Sequence, residues 1–584
     1  MPRTAAAKSA NVDKQSLAED NDSGGAVSRL LCPYNRHVPE QKLLTVSQLN
    51  LEVETDAGAR TLVNDVSFEI EAGQALGLVG ESGSGKSLTA LALLDLLPPQ
   101  IKRRSGKIIF ASIDLATLSE RQLRKYRGAR VAYIFQDPSA ALNPVMRVGA
   151  QVAEVLRAHQ PQLNRSQRQQ RLIDLLKEVE LPNPEEMARR FPHEISGGQR
   201  QRVLIAAALA GEPELLIADE PTTALDVTVQ EQILKLLERL RVERGLAMLW
   251  ISHDLQLVRA FCQQAVVLFQ GEVVERGSPE QLFVAPQHAH TKELVAAALA
   301  GGSAKPQDTD GGADSAIVCQ VRNLCVNYHA ASGWLGRKKV ATEAVKNVSF
   351  NIQPGETLAL VGESGSGKTS VGRAMLRILP EATGQVDLWL GDGSKVDWLQ
   401  LPEAQARPLR RHVSMVFQDP VAALDPRMRI WRSVAEPLII HRQAQGAALR
   451  ARAEELLSDV GLGPEFADRL PSALSGGQCQ RVAIARAISL QPRLVVCDEA
   501  ISALDSSIQE QVLELLADLQ ERYGMAYLFI THDLEAVRRF AHRVAVMRQG
   551  EILEIGSTGQ VLNNPQHEYT RSLLAASAAV HSAS

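Results

Sequence analysis

Short apolar runs alternate along this chain with stretches whose apolar residues recur every three or four positions, a pattern of strands followed by helices. Ala75-Leu76-Gly77-Leu78-Val79 is one such run and leads directly into a glycine-rich turn; the helix after it opens at Lys86-Ser87 and continues through Leu94. Residues 215–218 form a second apolar run, closing on Asp219-Glu220. Residues 230–244 place Ile233, Leu236, Leu237 and Leu240 on one helical face, with Gly245 as the stop. Residues 246–251 then read as a buried strand ending just before His253. Strands and helices alternating in this way predict an α/β fold with a mostly parallel sheet flanked by helices.

The second half repeats the first. A helix over 509–523, Gly524 and an apolar strand over 525–530 follow another apolar run, 494–497, that closes on Asp498-Glu499. Gly80-Glu81-Ser82-Gly83-Ser84-Gly85-Lys86-Ser87 returns as Gly362-Glu363-Ser364-Gly365-Ser366-Gly367-Lys368-Thr369, the lysines standing 282 positions apart. Phe135-Gln136-Asp137-Pro138 returns as Phe417-Gln418-Asp419-Pro420 at the same offset. Ser196-Gly197-Gly198-Gln199 returns as Ser475-Gly476-Gly477-Gln478, and Ser252-His253-Asp254 as Thr531-His532-Asp533, each 279 positions on. A period this long exceeds a solenoid unit and marks the duplication of a whole domain. The repeats span roughly 43–300 and 317–578. Residues 1–42 read as a disordered extension, 301–316 as a short flexible linker and 579–584 as a tail.

Composition narrows the class. With 45% apolar and 22% charged residues over 584 positions, the chain is ordinary globular material. A net charge of −4 argues against a nucleic-acid binder, and the basic runs at 102–104 and 121–130 read as solvated faces. The six cysteines (32, 262, 319, 325, 479 and 497) show no CxxC or zinc-type spacing and fit a reducing compartment. No stretch approaches the length needed to cross a bilayer, and the N-terminus lacks a secretory apolar core.

The chemistry lies in the repeated motifs. A GxxxxGK[ST] turn between strand and helix turns backbone N–H groups inward onto phosphates, and the helix start adds partial positive charge. Lys86 and Lys368 are placed to reach the β- and γ-phosphates, and Ser87 and Thr369 to hold Mg²⁺. Asp219 and Asp498 suit the same ion, while Glu220 and Glu499 are candidate general bases for the attacking water. His253 and His532, at strand ends, are candidate partners of the γ-phosphate. Ser196 to Gln199 and Ser475 to Gln478 open strongly helical stretches and make a second anion-binding helix start in each repeat, although such a motif alone is equally an N-cap.

Taken together, these motifs resemble the ATP-binding cassette ATPases over essentially all of both repeats. The resemblance implies a mostly parallel core with an antiparallel β lobe and a helical subdomain, and ATP and Mg²⁺ as ligands. It adds Gln136 and Gln418 to the metal site, and Asp226 and Asp505 (in Ala-Leu-Asp, 224–226 and 503–505) to the nucleotide site. In this family one cassette's signature closes over the other's nucleotide, so Lys86 is expected to face Ser475-Gly476-Gly477, and Lys368 to face Ser196-Gly197-Gly198. Both sites keep their glutamate and histidine, which implies two active sites. The family stacks adenine on an aromatic side chain before the P-loop; Tyr328 fits this in the second repeat, while the region near Val53 has none. Cys479 replaces the usual Arg or Glu after the signature glutamine.

Finer wording is similar to the oligopeptide, dipeptide and nickel importer ATPases. It includes Ala-Ala-Leu-Asn-Pro at 140–144, Ala-Ala-Leu-Asp-Pro at 422–426, and the tail element His567-Glu568-Tyr569-Thr570, echoed loosely by His288-Ala289-His290-Thr291. The resemblance implies a peripheral subunit on the cytoplasmic face of a bacterial inner membrane. It would energise import of di- or oligopeptides, with glutathione, nickel or a metallophore as alternatives. The implied partners are two integral-membrane permease subunits and an extracytoplasmic substrate-binding protein, with the cassettes pairing intramolecularly and no nucleic acid bound. A soluble tandem-cassette factor acting on ribosomes or DNA is the rival; the short linker, the acidic balance and the absence of CxxC pairs disfavour it. No cysteine-rich tail is present, so no iron–sulfur cluster is expected.

Overall fold

The computed structural model describes residues 42–55, 58–81, 83–222, 225–299, 317–328, 342–501 and 506–582. Most of the expected extension, the linker over 301–316, Ser82, Ala224 and Asp505 lie outside the described residues.

Each repeat builds two sheets. The first repeat starts with β1 (Lys42–Thr55) and β2 (Gly58–Glu71), continues through β3 (Ala75–Val79) and adds β4 (Ile101–Phe110) and β5 (Ile113–Asp114). The main sheet is completed by β6 (Val131–Ile134), β7 (Leu215–Asp219), β8 (Ala247–Ser252), β9 (Gln264–Phe269) and β10 (Glu272–Gly277). The second repeat supplies β11 (Cys319–Tyr328), β12 (Thr342–Ile352), β13 (Thr357–Val361), β14 (Ala382–Trp389) and β15 (Lys395–Asp397). It then adds β16 (Val413–Val416), β17 (Leu494–Asp498), β18 (Ala526–Ile530), β19 (Arg543–Arg548) and β20 (Glu551–Ser557).

The antiparallel lobes run β2-β1-β4-β5 and β12-β11-β14-β15, and the main sheets β6-β7-β8-β3-β9-β10 and β16-β17-β18-β13-β19-β20. The first five strands of each main sheet pair in parallel and only the last turns antiparallel. Strands β3, β7, β8, β13, β17 and β18 are buried at every position, which is why they read as unbroken apolar runs. The α/β reading and the two-lobed cassette therefore hold in both halves.

The helical subdomain of the first repeat is formed by helices Val148–His159, Arg165–Glu178 and Gly197–Leu209, which bury Val152, Leu156, Leu172, Leu176 and Val203 in the same cluster as the underside of the sheet. Each such side chain, fully buried, contributes roughly 1.5–3 kcal/mol against an exposed reference. Helices Ile430–Ile440, Gly446–Asp459 and Gly476–Ile488 repeat the arrangement.

Two element ends differ from the sequence reading. Lys42, expected in the extension, opens β1, with its ammonium 2.7 Å from Glu69 across the strand pair. The last helix, Glu568–Ser582, takes in most of the expected tail, because its alanine-rich run at 575–579 has high helix propensity. This helix also packs against the first-cassette helices Val227–Arg244 and Leu255–Phe261.

Candidate active sites

The carboxyl ends of three neighbouring strands carry the chemistry of each cassette, as parallel sheets generally present their ligand sites. In the first cassette Val79 pairs with Ser252 and Asp219 with Ile251, so the P-loop, the Asp-Glu pair and His253 emerge side by side. The P-loop passes so close to the end of β9 that a Cβ on Gly80 (φ +156°) would sit 2.2 Å from the Leu268 carbonyl; Gly362 (φ +150°) stands 2.1 Å from the Met547 carbonyl in the same sense. Only glycine fits both the dihedral and the space.

Inside each loop the lysine is buried and folded back on the backbone. Lys86 Nζ donates to the carbonyls of Gly80 (2.7 Å) and Glu81 (2.8 Å), and Lys368 Nζ to those of Gly362 (2.7 Å) and Glu363 (2.9 Å). Burial lowers the Lys368 pKa, against the opposing pull of Glu499, Asp226, Asp498 and Glu363. The next residue contacts the Asp of the strand end: Ser87 Oγ donates to Asp219 (3.0 Å) and Thr369 Oγ1 to Asp498 (2.9 Å). Burial raises the pKa of both aspartates.

Glu220 and Glu499 sit one residue past their strands with left-handed backbones, φ 45° and 49°. Their N–H groups still bond to the Ile251 and Ile530 carbonyls, at 3.0 and 2.9 Å, so the turn swings each side chain without breaking the sheet edge. Such a conformation costs of order 1–3 kcal/mol for a residue with a side chain. Each carboxylate is gripped from two sides. Gln136 Nε2 donates to Glu220 (2.8 Å) and Gln418 Nε2 to Glu499 (2.5 Å); His253 Nδ1 lies 3.2 Å from Glu220 and His532 Nδ1 3.5 Å from Glu499. For Glu499 burial pushes the pKa upward, but the His532 contact, the Lys368 charge and the Gln418 bond together hold it below the ordinary carboxylate range.

A cavity of about 360 Å³ opens over the second site. It is lined by Tyr328 and Ala344, by Ser364, Gly365 and Gly367 to Ser370 of the P-loop and its helix, and by Gln418, Glu499 and His532. Tyr328 Oη is 3.1 Å from Ser370 Oγ. The first cassette contributes Asp226, which caps helix Val227–Arg244 by accepting from Val229 N (2.9 Å) and accepts with its other oxygen from Ser364 N (3.1 Å). Among the described residues that line this cavity, Asp226 is the one the first cassette supplies, and Ser196 to Gln199 are not among them. A Cβ on Gly197 would lie 3.6 Å from a Leu225 methyl, so the signature adjoins the Leu225-Asp226 segment of its own cassette. In the reciprocal site this contact would involve Ser82 and Asp505, outside the described residues.

The signature motifs are capping boxes in both cassettes. Ser196 Oγ accepts from Gln199 N (3.3 Å) while Gln199 Oε1 accepts from Ser196 N (3.1 Å), and Ser475 and Gln478 repeat the exchange at 3.3 and 3.0 Å. One site residue had no sequence signal. Tyr133 Oη donates to the second oxygen of Asp219 (2.7 Å), and the corresponding position of the second repeat is Met415. His288 and His290 join no cluster of potential metal ligands among the described residues.

Comparison with known proteins agrees with this geometry. The family model described as ABC transporter matches residues 63–223 and 345–502. The chain is 43% identical over 578 residues to the glutathione import ATP-binding protein GsiA of Shigella boydii serotype 4 (strain Sb227), covering 93% of this chain and 91% of that protein. The protein of the same name from Escherichia coli (strain K12) gives the same identity and coverage. A solved dimeric structure of the ATP-binding cassette MJ0796, in a post-hydrolysis state with ADP and Pi, is 31% identical and covers 41% of this chain and 98% of that one, with a TM-score of 0.37.

Proposed function

The chain belongs to the ABC transporter family as two ATP-hydrolysing cassettes in one polypeptide, and we propose that it is the energy-coupling subunit of an importer for glutathione. The observation that carries the catalytic part is the Gln418–Glu499–His532 cluster across a cavity from Lys368 and Thr369, with Asp226 of the other cassette in its wall. Lys368 and the P-loop N–H groups bind the β- and γ-phosphates, and Lys86 does so in the first site. Glu499 takes the proton of the attacking water, His532 steadies that carboxylate and contacts the γ-phosphate, and Glu220 and His253 act likewise. The signature residues Ser196, Gly197, Gly198 and Gln199 approach Lys368 as the cassettes close, and Ser475, Gly476, Gly477 and Gln478 approach Lys86.

The donor sets suit a hard divalent cation. Ser87 Oγ and Asp219, and Thr369 Oγ1 and Asp498, bring hydroxyl and carboxylate oxygens together, 3.0 and 2.9 Å from each other, and Gln136 and Gln418 keep an amide oxygen to turn inward while Nε2 holds the glutamate. A Mg²⁺ ion bound there would neutralise charge on the transferring phosphate. Tyr328 stacks adenine in the second site. Replacing it with alanine is expected to weaken ATP binding there by about five-fold or more, at about 1–3 kcal/mol per base–aromatic stack, and to leave the first site unchanged. Fluorescent-nucleotide titration of chains carrying one disabled P-loop would resolve the two sites.

Transport across the membrane requires other chains: among the described residues no helix is long and apolar enough to span a bilayer. Two permease subunits and an extracytoplasmic binding protein complete the assembly, with this chain peripheral on the cytoplasmic face. The cargo reading is supported by the glutathione import ATP-binding proteins matched over 93% of the chain. Glutathione is itself a tripeptide, so it falls within the peptide class that the sequence favours. The test is a pull-down of the tagged chain from detergent-solubilised native membranes. Recovery of two multi-spanning proteins and a binding protein that takes glutathione is expected. A binding protein selective for nickel or longer peptides would overturn the cargo, and ribosomal proteins with no membrane partner would overturn transport.

A further inference from the structure

The tail element around Tyr569 has no part in the chemistry above, yet it reaches the second P-loop. Its approach is fixed by Glu554, which accepts from Gln566 N (2.8 Å) and His567 N (3.1 Å), and by His567 Nδ1, which accepts from Tyr569 N (3.0 Å). The Tyr569 ring is buried, 4% exposed, with the Arg548 guanidinium 4.5 Å above it. Its hydroxyl oxygen accepts from Glu363 N at 3.2 Å.

That bond falls at a particular place. The Glu363 carbonyl is held by Lys368 Nζ at 2.9 Å, and the next amide, Ser364 N, is held by Asp226 of the first cassette at 3.1 Å. Two successive P-loop amides are therefore fixed by two different parts of the molecule. The helix Glu568–Ser582 is rooted against the P-loop strand through its first two turns, Tyr569 and Leu573 sharing a cluster with Ala359 and Val361. The same helix packs against the first-cassette helices that begin just after Asp226 and just after His253-Asp254.

The first repeat lacks the arrangement. His290 stands where Tyr569 does and Phe269 where Arg548 does, each 279 positions earlier. The two rings stack at 4.2 Å, His290 is 2% exposed, and neither imidazole nitrogen makes a hydrogen bond, Nδ1 lying 3.6 Å from the Glu293 carboxylate. Imidazole also lacks the length of a phenol.

We propose that Tyr569 is a positioning residue for the second nucleotide site: its hydroxyl latches the P-loop at Glu363, and its helix ties that loop to the first cassette. The inference rests on the reading of the two P-loops as ATP sites. It makes the sites unequal: among the described residues, the element that latches the second P-loop also packs on the partner cassette, and the first repeat carries His290 in place of the latching tyrosine.

The test removes the hydroxyl alone. Tyr569→Phe is made in the full chain on two backgrounds, Lys86→Met to isolate the second site and Lys368→Met to isolate the first, and binding of a fluorescent ATP analogue is titrated. One neutral hydrogen bond predicts about 3- to 10-fold weaker binding in the Lys86→Met background and no change in the other. Leu573→Ala, which loosens the same helix below the latch, serves as the packing control. It is expected to lower Tm more than Tyr569→Phe while shifting second-site affinity less. Unchanged second-site affinity in Tyr569→Phe, equal losses at both sites, or an affinity loss that merely follows Tm would each overturn the latch. Absence of nucleotide binding in the Lys86→Met parent would instead overturn the reading of the second P-loop as an ATP site, and the latch with it.

Discussion

Replacing Glu220 and Glu499 together by glutamine is expected to cut steady-state ATP turnover by about 10²-fold or more, the usual scale for losing a positioned general base. The substitution removes basicity and little else. Glutamine keeps the length of the side chain, and its amide can still meet Gln136 or Gln418 and the histidine that now lie 2.5–3.5 Å from each carboxylate. The positive-φ turn at 220 and 499 is a backbone feature held by sheet hydrogen bonds, so it persists. ATP binding is therefore expected to survive while phosphate release fails. Each single variant should silence its own site. Near-normal phosphate release in the double variant would remove the base role from both glutamates.

The features legible in the sequence are those whose chemistry fits within a few consecutive residues. The P-loops, the Asp-Glu strand ends and the histidines are short motifs at the ends of apolar runs, and a parallel sheet brings such ends together whatever the loops between them do. The capping role of Ser196 and Gln199 was legible for the same reason, since both partners lie within one helical turn.

What escaped depends on distance along the chain. Tyr133 reaches Asp219 only because β6 and β7, 84 positions apart from Val131 to Leu215, lie side by side. The contacts of Ser364 with Asp226 and of Glu363 with Tyr569 bridge 138 and 206 positions. Local pattern carries no trace of such pairings. The left-handed backbone at Glu220 and Glu499 was hidden differently: the region disfavours side chains, so nothing in the identity of a glutamate announces it.

Lys368→Met carries the other large expected effect. Methionine preserves an unbranched chain of similar length but donates no hydrogen bond. The ammonium it replaces is 5% exposed, bonded to the Gly362 and Glu363 carbonyls, and surrounded by Glu499, Asp226, Asp498 and Glu363. Removing it leaves two inward carbonyls without that donor and leaves the neighbouring carboxylates without a balancing charge. Truncating one partner of a buried, hydrogen-bonded charge pair costs about 2–5 kcal/mol, so ATP affinity at the second site is expected to fall by about 10²-fold. The same loss withdraws one of the influences that keep the Glu499 pKa low, so that group should hold its proton to higher pH. Calorimetric titration of ATP into Lys368→Met and into Lys86→Met, with circular dichroism to establish folding, checks both sites. A folded Lys368→Met chain with undiminished second-site affinity would mean that backbone N–H groups and the helix start alone hold the phosphates. The lysine would then serve only to pull the Gly362 and Glu363 carbonyls inward, a structural part in place of the phosphate contact assigned to it.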